Sequence, residues 1–333
     1  MKALAPFVIA ACLSGASPAG AAEPSPHAIH VPSWFAESFL DLREEQREAA
    51  ANGKRVMVYF GQDGCPYCKA LMEANFSQRD IVEATRRHFV AIALNLWGDR
   101  ETTWTDGVMR SEKNLGEFLR VQFTPTLLFI DEEGRVALRL NGYQPPARLR
   151  LALDFASRRL ERAMTFAEFV RSEPLPAARR AQPDPRLFRT TPPRLDLRGD
   201  KPLILVFESR DCDPCAELHE ALNRPQSQAA MKGLEAARFD VFGAHPVTTA
   251  SGAVVPEAEF ARSLGVAFTP TLVFLDPDRR EVFRSEGYLR PFHLASVLDY
   301  VSSGAWKMEP SFQRYIQGRA ERERAAGRQV ELW

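Results

Sequence analysis

An internal repeat constrains the fold of this chain more than any other feature. The same order of apolar runs and short sequence words occurs twice, and each copy holds two cysteines separated by two residues. The two pairs are Cys65 with Cys68 and Cys212 with Cys215. The first cysteines are 147 positions apart, and the word FTPTL, which begins at Phe123 and again at Phe268, recurs at an offset of 145. A nearly constant offset at separated places indicates a tandem duplication and therefore two domains of one fold.

Each copy has the pattern of an α/β domain. The apolar runs 56–60 and 203–207 stand directly before the cysteine pairs and have the length of buried strands, whereas helical spacing follows each pair. Further strands are predicted at 90–94, 126–130 and 135–140 in the first copy and at 237–242, 271–275 and 281–285 in the second. Helices are predicted at 33–52, 112–120 and 146–160 in the first copy and at 257–264 and 291–302 in the second. This order predicts a central mixed sheet flanked by helices in each domain.

The composition along the chain sets the predicted domain boundaries. The predicted parts are a first domain at 33–171, a linker at 172–200, a second domain at 201–303 and a helical tail at 304–333. The linker is rich in proline, which predicts a stiff, extended segment rather than packed structure. In the tail, Phe312, Tyr315 and Ile316 share one helical face, which we interpret as a docking face with the charged residues in water.

Residues 1–22 have the features of a secretory signal peptide. Lys2 gives a positive start, residues 3–16 are apolar, and small residues precede a cleavage point near Ala22. In an alternative interpretation, the residues before Cys12 form a lipoprotein cleavage box that leaves this cysteine lipid-anchored. The other four cysteines all belong to the two pairs, so none remains for a structural cross-link. Redox chemistry in an oxidising compartment, the bacterial periplasm, fits this usage best.

The motifs of each copy resemble those of the thioredoxin superfamily. The shared order is a strand, a C-x-x-C motif at a helix start, a Thr-Pro motif about sixty positions later, and a final hairpin. The resemblance covers about residues 50–160 and 200–303, and it is strongest to exported bacterial thioredoxin-like proteins that handle thiols in the periplasm. It implies two tandem thioredoxin-like domains joined by the Pro-rich linker.

The position of each cysteine pair at a helix start predicts its chemistry. Unpaired backbone N–H groups and the helix dipole favour a negative charge there, which stabilises a thiolate. We therefore predict that Cys65 and Cys212 attack a substrate disulfide and that Cys68 and Cys215 resolve the mixed disulfide. The resemblance further implies that Pro125 and Pro270 are cis prolines beside these cysteines, and that the backbone of Thr124 and Thr269 binds an extended substrate segment.

The chain departs from thioredoxin in the groups around the cysteines. Thioredoxin has a buried Asp that assists proton transfer where this chain has Tyr59 and Val206. The acids near the motifs, interpreted mostly as solvated turn residues, are Asp63, Glu208, Asp211 and Asp213. Asp213 stands next to Cys212 and should disfavour its thiolate form by like-charge repulsion. The second site is therefore predicted to hold its disulfide more firmly than the first.

These observations favour a protein-disulfide reductase. Protein disulfides are the expected substrates and a membrane thiol-transfer protein the expected electron donor, since the chain carries no flavin or nucleotide motif and no cofactor is expected. A disulfide isomerase or oxidase is the alternative among enzymes, and a copper- or thiol-binding protein is the alternative outside them. A zinc site shared by the pairs is disfavoured, because structural zinc pairs are about 15–20 residues apart. The formal net charge is zero, so no overall field directs the chain to nucleic acid.

Two other features leave their roles open in the sequence. The segment from Trp97 to Trp104 is longer than a connection needs, and it is either a flap over the sheet edge or a substrate-contacting surface. The histidines at positions 88, 219 and 293 lie in predicted helices without a ligand set, and we interpret them as exposed or satisfied residues.

Overall fold

The computed structural model describes residues 30–173, 179–189, 194–210, 212–287 and 289–330. The predicted signal peptide, Cys12 and Asp211 lie outside these residues. Within them the chain forms two α/β units of the same design, as the repeat predicts. The first unit has helices α1 (Leu42–Ala51), α2 (Pro66–Ala70), α3 (Arg79–His88), α4 (Glu112–Phe118), α5 (Pro146–Ser157) and α6 (Phe166–Ser172), and strands β1 (Arg55–Gly61), β2 (Phe89–Asn95), β3 (Glu101–Thr103), β4 (Met109–Ser111), β5 (Thr126–Ile130) and β6 (Val136–Asn141).

The second unit repeats this order from its first strand onward, without a counterpart of α1, and its last helix corresponds to α6. Its strands are β7 (Leu203–Glu208), β8 (Glu235–Asp240), β9 (Pro246–Thr248), β10 (Val254–Pro256), β11 (Thr271–Leu275) and β12 (Glu281–Glu286). Its helices are α7 (Asp213–Leu222), α8 (Pro225–Met231), α9 (Glu257–Ser263) and α10 (Pro291–Ser302), followed by α11 (Phe312–Ala325). A single turn of π-helix, Leu71–Asn75, prolongs α2 in the first unit.

Each unit is organised around a four-stranded mixed sheet. The strand order is β2-β1-β5-β6 in the first sheet and β8-β7-β11-β12 in the second. In each sheet the first two strands are parallel and the other pairs are antiparallel. Every residue of β1 and β7 is buried, because helices cover both faces of the sheet. These two strands end directly before the cysteine pairs and so fix the positions of both sites.

The first helix is shorter than the sequence predicts. Helical spacing predicted a helix over 33–52, but α1 begins at Leu42. The side chain of Asp41 caps the helix by accepting the N–H of Glu44 at 3.0 Å, and Leu40 has a φ of 65°. A left-handed residue stops a right-handed helix, so the residues before Leu40 cannot continue α1.

The segment from Trp97 to Trp104 forms part of a short hairpin, β3–β4, that the sequence did not predict. Trp104 is buried in the core of the first unit. The indole N–H of Trp97, by contrast, donates to Gln62 Oε1 at 2.7 Å, near the start of α2. Trp104 therefore fits the interpretation of a flap that packs on the domain, whereas Trp97 fits that of a substrate-contacting surface.

The two units exchange an aromatic side chain. Phe123 of the first unit packs with the core of the second, where its ring centroid lies 5.5 Å from those of Phe283 and Phe312. Phe268, the equivalent residue of the second repeat, packs in the core of the first unit at 4.9 Å from Phe166. Both rings are buried. The units are thus joined through two buried aromatic contacts related by the repeat.

The edge strands β6 and β12 meet at the same interface. Asn141, the last residue of β6, donates its Nδ2–H to Glu286 Oε2 at 3.1 Å, and Glu286 is the last residue of β12. Burial raises the pKa of the Glu286 carboxyl, while Arg284 and Arg139 partly oppose this rise. The ends of the two edge strands are therefore in direct contact across the interface.

The described parts of the predicted linker pack on the second unit. The Arg189 N–H donates to the carbonyl of Ala236 in β8 at 2.9 Å, and Leu195 is buried in the core beside β7 and β8. The ring of Phe188 lies 5.6 Å from that of His219. The sequence predicted an unpacked segment. The described part of the linker is packed instead, because its apolar residues contact the second domain.

The C-terminal helix α11 connects both units. Phe312 and Ile316 are buried in the core of the second unit. On the same helix, Gln313 donates to the carbonyl of Gln122 at 2.8 Å and accepts from Gln62 at 3.1 Å. No helix within the described residues is long and apolar enough to cross a membrane.

Candidate active sites

The first cysteine pair lies at the start of α2. Cys65 is the N-cap residue, and its Sγ accepts the backbone N–H of Cys68 at 3.1 Å. Pro66 follows as the first helical residue, where its missing N–H costs nothing. Cys65 is 4% exposed and Cys68 is fully buried. Cys65 therefore has the greater exposure of the two, as the attacking residue needs.

The Thr-Pro motif lies against this pair. The peptide bond between Thr124 and Pro125 is cis. Thr124 Oγ1 lies 3.3 Å from Cys65 Sγ, and its carbonyl oxygen lies 3.4 Å from the same sulfur. Residues 59 positions apart in the sequence thus form one site. A hydroxyl group at this distance can donate a hydrogen bond to a thiolate.

The second cysteine pair has the same placement at the start of α7. Cys212 is the N-cap residue, and its Sγ accepts the N–H of Cys215 at 3.2 Å. The peptide bond between Thr269 and Pro270 is also cis. The Thr269 hydroxyl, however, contacts Ser209 Oγ at 3.3 Å. Cys212 is 5% exposed and Cys215 is fully buried, so the first cysteine again has the greater exposure.

Both pairs are joined as disulfides. The Cα atoms are 5.3 Å apart in the first pair and 5.2 Å apart in the second. Each bond closes a loop of only a few residues inside one helical turn, so its role as a structural staple is small. Among the residues that the structure describes, no group of three or more His, Cys, Asp or Glu side chains is arranged to hold a metal ion.

Comparison with protein-family models agrees with this architecture. The model of the thioredoxin-like domain matches residues 42–157 and again residues 197–302, which together make about two thirds of the chain. The chain belongs to the thioredoxin-like family. Its fold is that of a thioredoxin-like oxidoreductase, present twice and with a C-x-x-C pair in each copy.

Some of the solved structures similar to this thioredoxin-like chain match about a third of it, and others match most of it. A thioredoxin from Thermus thermophilus is 26% identical with a TM-score of 0.29, over 34% of this chain and 82% of its own. A thioredoxin-fold protein from Helicobacter pylori is 24% identical with a TM-score of 0.31, over 36% of this chain and 79% of its own. The first two thioredoxin domains of Saccharomyces cerevisiae Eps1p are 12% identical with a TM-score of 0.27, over 78% of this chain and 95% of theirs. No protein of curated function matches the chain in sequence.

In the first thioredoxin-like domain, Tyr59 occupies the position of thioredoxin's buried Asp. The side chain is buried, and its hydroxyl has no hydrogen-bond partner among the described residues. Burial and the negative charge of Asp63 raise the pKa of the Tyr59 hydroxyl. Tyr59 therefore stays protonated, and it cannot accept a proton as a carboxylate does.

The second thioredoxin-like domain contains a buried acid that the sequence analysis placed in solvent. Glu208 is the last residue of β7 and lies on the same face as Val206, because strand residues alternate. It is 4% exposed, and His219 Nε2 lies 2.7 Å from its Oε2. Arg238 contacts the other oxygen. His219 is on α7, one turn after Cys215, so the pair lies beneath the second site.

A linker residue reaches the second site. The backbone N–H of Arg179 donates to Asp213 Oδ1 at 2.6 Å, and its guanidinium contacts Glu220 at 3.0 Å and Glu217 at 3.2 Å. Asp213 directly follows Cys212, so a cation stands beside the carboxylate that was predicted to disfavour the Cys212 thiolate. The first site has no acid at the equivalent position, which is Pro66.

The first site opens into a cavity between the two domains. The cavity has a volume of about 1110 Å³ and has Cys65, Tyr67 and Thr124 in its wall. The second domain contributes Pro214 and His293, and α11 contributes several polar residues. Trp97 also lines this cavity, which supports the substrate-contacting interpretation for that residue.

One side chain on α5 of the first domain and one on α10 of the second domain each contact the site of the other domain. His293, on α10, packs edge-on against Tyr67 with ring centroids 5.1 Å apart. Arg148, on α5, directs a guanidinium N–H to the carbonyl oxygen of Thr269 at 3.5 Å. No sequence pattern pointed to Arg148, and His293 was interpreted as an exposed or satisfied helix residue. Alignment of the repeats could have indicated both, since they are 145 positions apart and each follows a helix-starting proline.

Proposed function

We propose that this protein is a periplasmic thiol:disulfide oxidoreductase that reduces disulfides in exported proteins. The observation that carries the proposal is the shared arrangement of the two sites. In each, a slightly exposed cysteine caps a helix and its partner is fully buried, and a cis Thr-Pro bond is present in the same domain. In the first site the Thr of this motif contacts the sulfur of the capping cysteine. This arrangement favours a thiolate at the accessible position and a second thiol placed to resolve the product.

The proposed reaction transfers two electrons from one cysteine pair to a substrate disulfide. In the dithiol form, the Cys65 thiolate attacks one substrate sulfur, a mixed disulfide forms, and the other substrate sulfur leaves as a thiolate. Cys68 then loses its proton and attacks Cys65 Sγ, which forms the Cys65–Cys68 disulfide and releases the second substrate thiolate. Cys212 and Cys215 act in the same way. An external dithiol must then reduce the pair, and a membrane thiol-transfer protein is the proposed donor.

The Thr residue before each cis proline is the expected position for substrate binding. We propose that the backbone of Thr124 and Thr269 pairs with an extended segment of the substrate, as the resemblance implies. Export is supported by the signal-peptide features of residues 1–22. Fractionation of the native host, with the protein in the periplasmic extract, is the expected outcome; recovery in the cytoplasm or with membranes would contradict the location.

The direction of the reaction is tested by two assays on the same samples. We expect the wild-type protein to reduce insulin disulfides with dithiothreitol as donor and to refold scrambled ribonuclease poorly. Cys65→Ser should abolish reduction at the first site, and Cys68→Ser should accumulate a mixed disulfide with the substrate. Efficient ribonuclease refolding would instead identify an isomerase. Copper binding without reduction of insulin would identify a thiol-dependent metal-binding protein.

A further inference from the structure

The cavity beside Cys65 has the size of a site for a small molecule or a short peptide. Pockets for small ligands have volumes of about 300–1,000 Å³, and this cavity has about 1110 Å³. Its walls come from both domains and from α11, so it has a defined shape on three sides. A short peptide that carries a disulfide fits a cavity of this volume.

The charges around the cavity favour an anion. The cationic lining residues are Lys113, Arg148, Arg290, Arg314 and Arg324, and the acidic ones are Asp63 and Glu217. Glu217 already contacts Arg179 at 3.2 Å, and Arg314 is paired with Glu309 at 2.8 Å. The remaining charge is still positive. A cationic concavity raises the local concentration of negatively charged ligands.

Arg148 is the lining residue whose surroundings indicate a missing partner. Its Nε atom is buried and has no hydrogen-bond partner within the described chain. Its guanidinium makes one long hydrogen bond to Thr269 and lies 5.6 Å from the ring of Phe268. No carboxylate of the described residues lies within salt-bridge distance of it. Burial lowers the pKa of the guanidinium to about 10, which still leaves it charged at neutral pH.

A partly buried cation without a carboxylate is unfavourable, and an anionic ligand group lowers that cost. Arginine also binds carboxylates through two parallel hydrogen bonds, which fixes their orientation. The N–H groups of the terminal nitrogens that do not bond Thr269 are the ones available to such a carboxylate. Arg148 and Cys65 line the same cavity, so a disulfide whose carboxylate binds Arg148 lies in the cavity whose wall contains the attacking cysteine.

We propose that the interdomain cavity binds the carboxylate of a short, disulfide-linked anionic peptide and that Arg148 is its anion-binding residue. The proposal rests on the proposed function, since it assigns a substrate class to the first site. The reaction is the two-electron transfer already written for Cys65 and Cys68, with two peptide thiols as products and an external dithiol as reductant. Arg148 binds the substrate and takes no part in bond exchange.

Binding is measured on the full chain with Cys65→Ser and Cys68→Ser, so that no disulfide exchange occurs at this site. The probes are glutathione disulfide, which carries carboxylates, and cystamine, a disulfide with only cationic groups. We expect glutathione disulfide to bind more tightly, and Arg148→Met to weaken it about 10-fold to 100-fold, as loss of a charged hydrogen bond does. Cystamine binding should not weaken. Arg87→Met, a charge removal on the exposed end of α3, is the matched control.

Several outcomes would overturn the proposal. Equal binding of both probes by the parent protein would do so, as would equal effects of Arg148→Met and Arg87→Met on glutathione disulfide. If Arg148→Met does not fold, Arg148→Lys replaces it, and the preference for the anionic probe should then persist with reduced affinity. Insulin reduction by the wild-type protein separates the two proposals. If the wild-type protein reduces insulin but shows no preference for the anionic probe, only the proposed substrate class is rejected. If the wild-type protein does not reduce insulin, the proposed function is rejected.

Discussion

Phe123 and Phe268 occupy equivalent positions in the two repeats, and each ring lies in the core of the other domain. The exchange places the Thr-Pro motif that follows each phenylalanine at the domain interface. It also makes each site depend on both domains, since His293 approaches Tyr67 and Arg148 approaches Thr269. The two candidate sites are therefore parts of one docked assembly rather than independent modules on a linker.

Removal of one exchanged ring should destabilise the whole protein. We expect Phe268→Ala to lower the free energy of unfolding by about 3–5 kcal/mol, the usual cost of a buried Phe→Ala change. Denaturant unfolding followed by fluorescence measures this, and Phe123→Ala should behave alike. Phe39→Ala is the control, because that ring is fully exposed. If Phe268→Ala unfolds at the same denaturant concentration as Phe39→Ala, the exchanged contact does not hold the domains together.

The sequence predicts the elements of each domain well, because their signals are local. The strand before each cysteine pair, the helix after it and the Thr-Pro motif can all be identified from short runs of residues. Phe123 is an example of a residue whose position local signals cannot predict. An aromatic residue beside a strand predicts burial, but nothing near it tells whether the core that receives it belongs to its own domain or to one 145 positions away.

The same limit applies to the polar residues of the sites. Glu208 ends an apolar strand and precedes a turn, so its local pattern fits a solvated acid equally well. Its burial depends on His219, which becomes a neighbour only when α7 packs on β7. Arg148 has the pattern of an ordinary surface residue at the start of a helix. Its contact with Thr269 exists only because the domains are docked.

His293 should make the docked protein sensitive to mild acid. Burial and the positive charge of Arg290 lower the pKa of the His293 imidazole to about 4, whereas an unfolded histidine has a pKa of about 6.5. Below pH 6.5 the unfolded state therefore binds one more proton than the folded state, and stability falls as the pH decreases towards 4. The loss between pH 7 and pH 4.5 should be about 2.5 kcal/mol for these two pKa values. The pH dependence from this group fades above pH 6.5 and is negligible above about pH 7.5.

His293→Gln tests this sensitivity. The free energy of unfolding is measured between pH 7 and pH 4.5 for the wild-type protein and the variant, and the variant should lose less stability over this range. His88→Gln is the control, because His88 is exposed at the end of α3. Parallel curves for the wild type and His293→Gln would show that this imidazole is protonated as readily as in water.

The buried pair of Glu208 and His219 should stabilise the second domain only while both members are present. His219→Leu leaves a buried carboxylate with Arg238 as its remaining partner, and we expect a loss of about 2–3 kcal/mol in the free energy of unfolding. Replacing both residues with leucine should recover part of this loss, because no buried charge then remains. An exposed histidine that contacts an acid, His245 with Glu257 at 3.2 Å, provides the control His245→Leu. Additive single and double changes would contradict the coupling.

The two sites should have different reduction potentials. The carboxylate of Asp213 beside Cys212 disfavours its thiolate, whereas the first site has Pro66 at this position. Arg179 offsets part of this effect, because its backbone N–H and its guanidinium both contact Asp213. We therefore predict a lower potential at the second site, a smaller difference in Asp213→Asn and a larger one in Arg179→Met. Each change should be no more than about 20 mV, since exposed ion pairs contribute about 1 kcal/mol or less and 30 mV corresponds to about 1.4 kcal/mol.

Full-length proteins with a single active pair allow each potential to be measured in its native surroundings. Cys65→Ser with Cys68→Ser reports the second site, and Cys212→Ser with Cys215→Ser reports the first, each equilibrated against a series of glutathione ratios. A lower potential at the second pair would make it the donor to the first, so that electrons pass from Cys212 and Cys215 towards Cys65 and on to the substrate. Turnover at Cys65 should then fall in Cys212→Ser when the donor is limiting. Equal potentials, or unchanged turnover at Cys65, would mean that the duplication provides two independent sites.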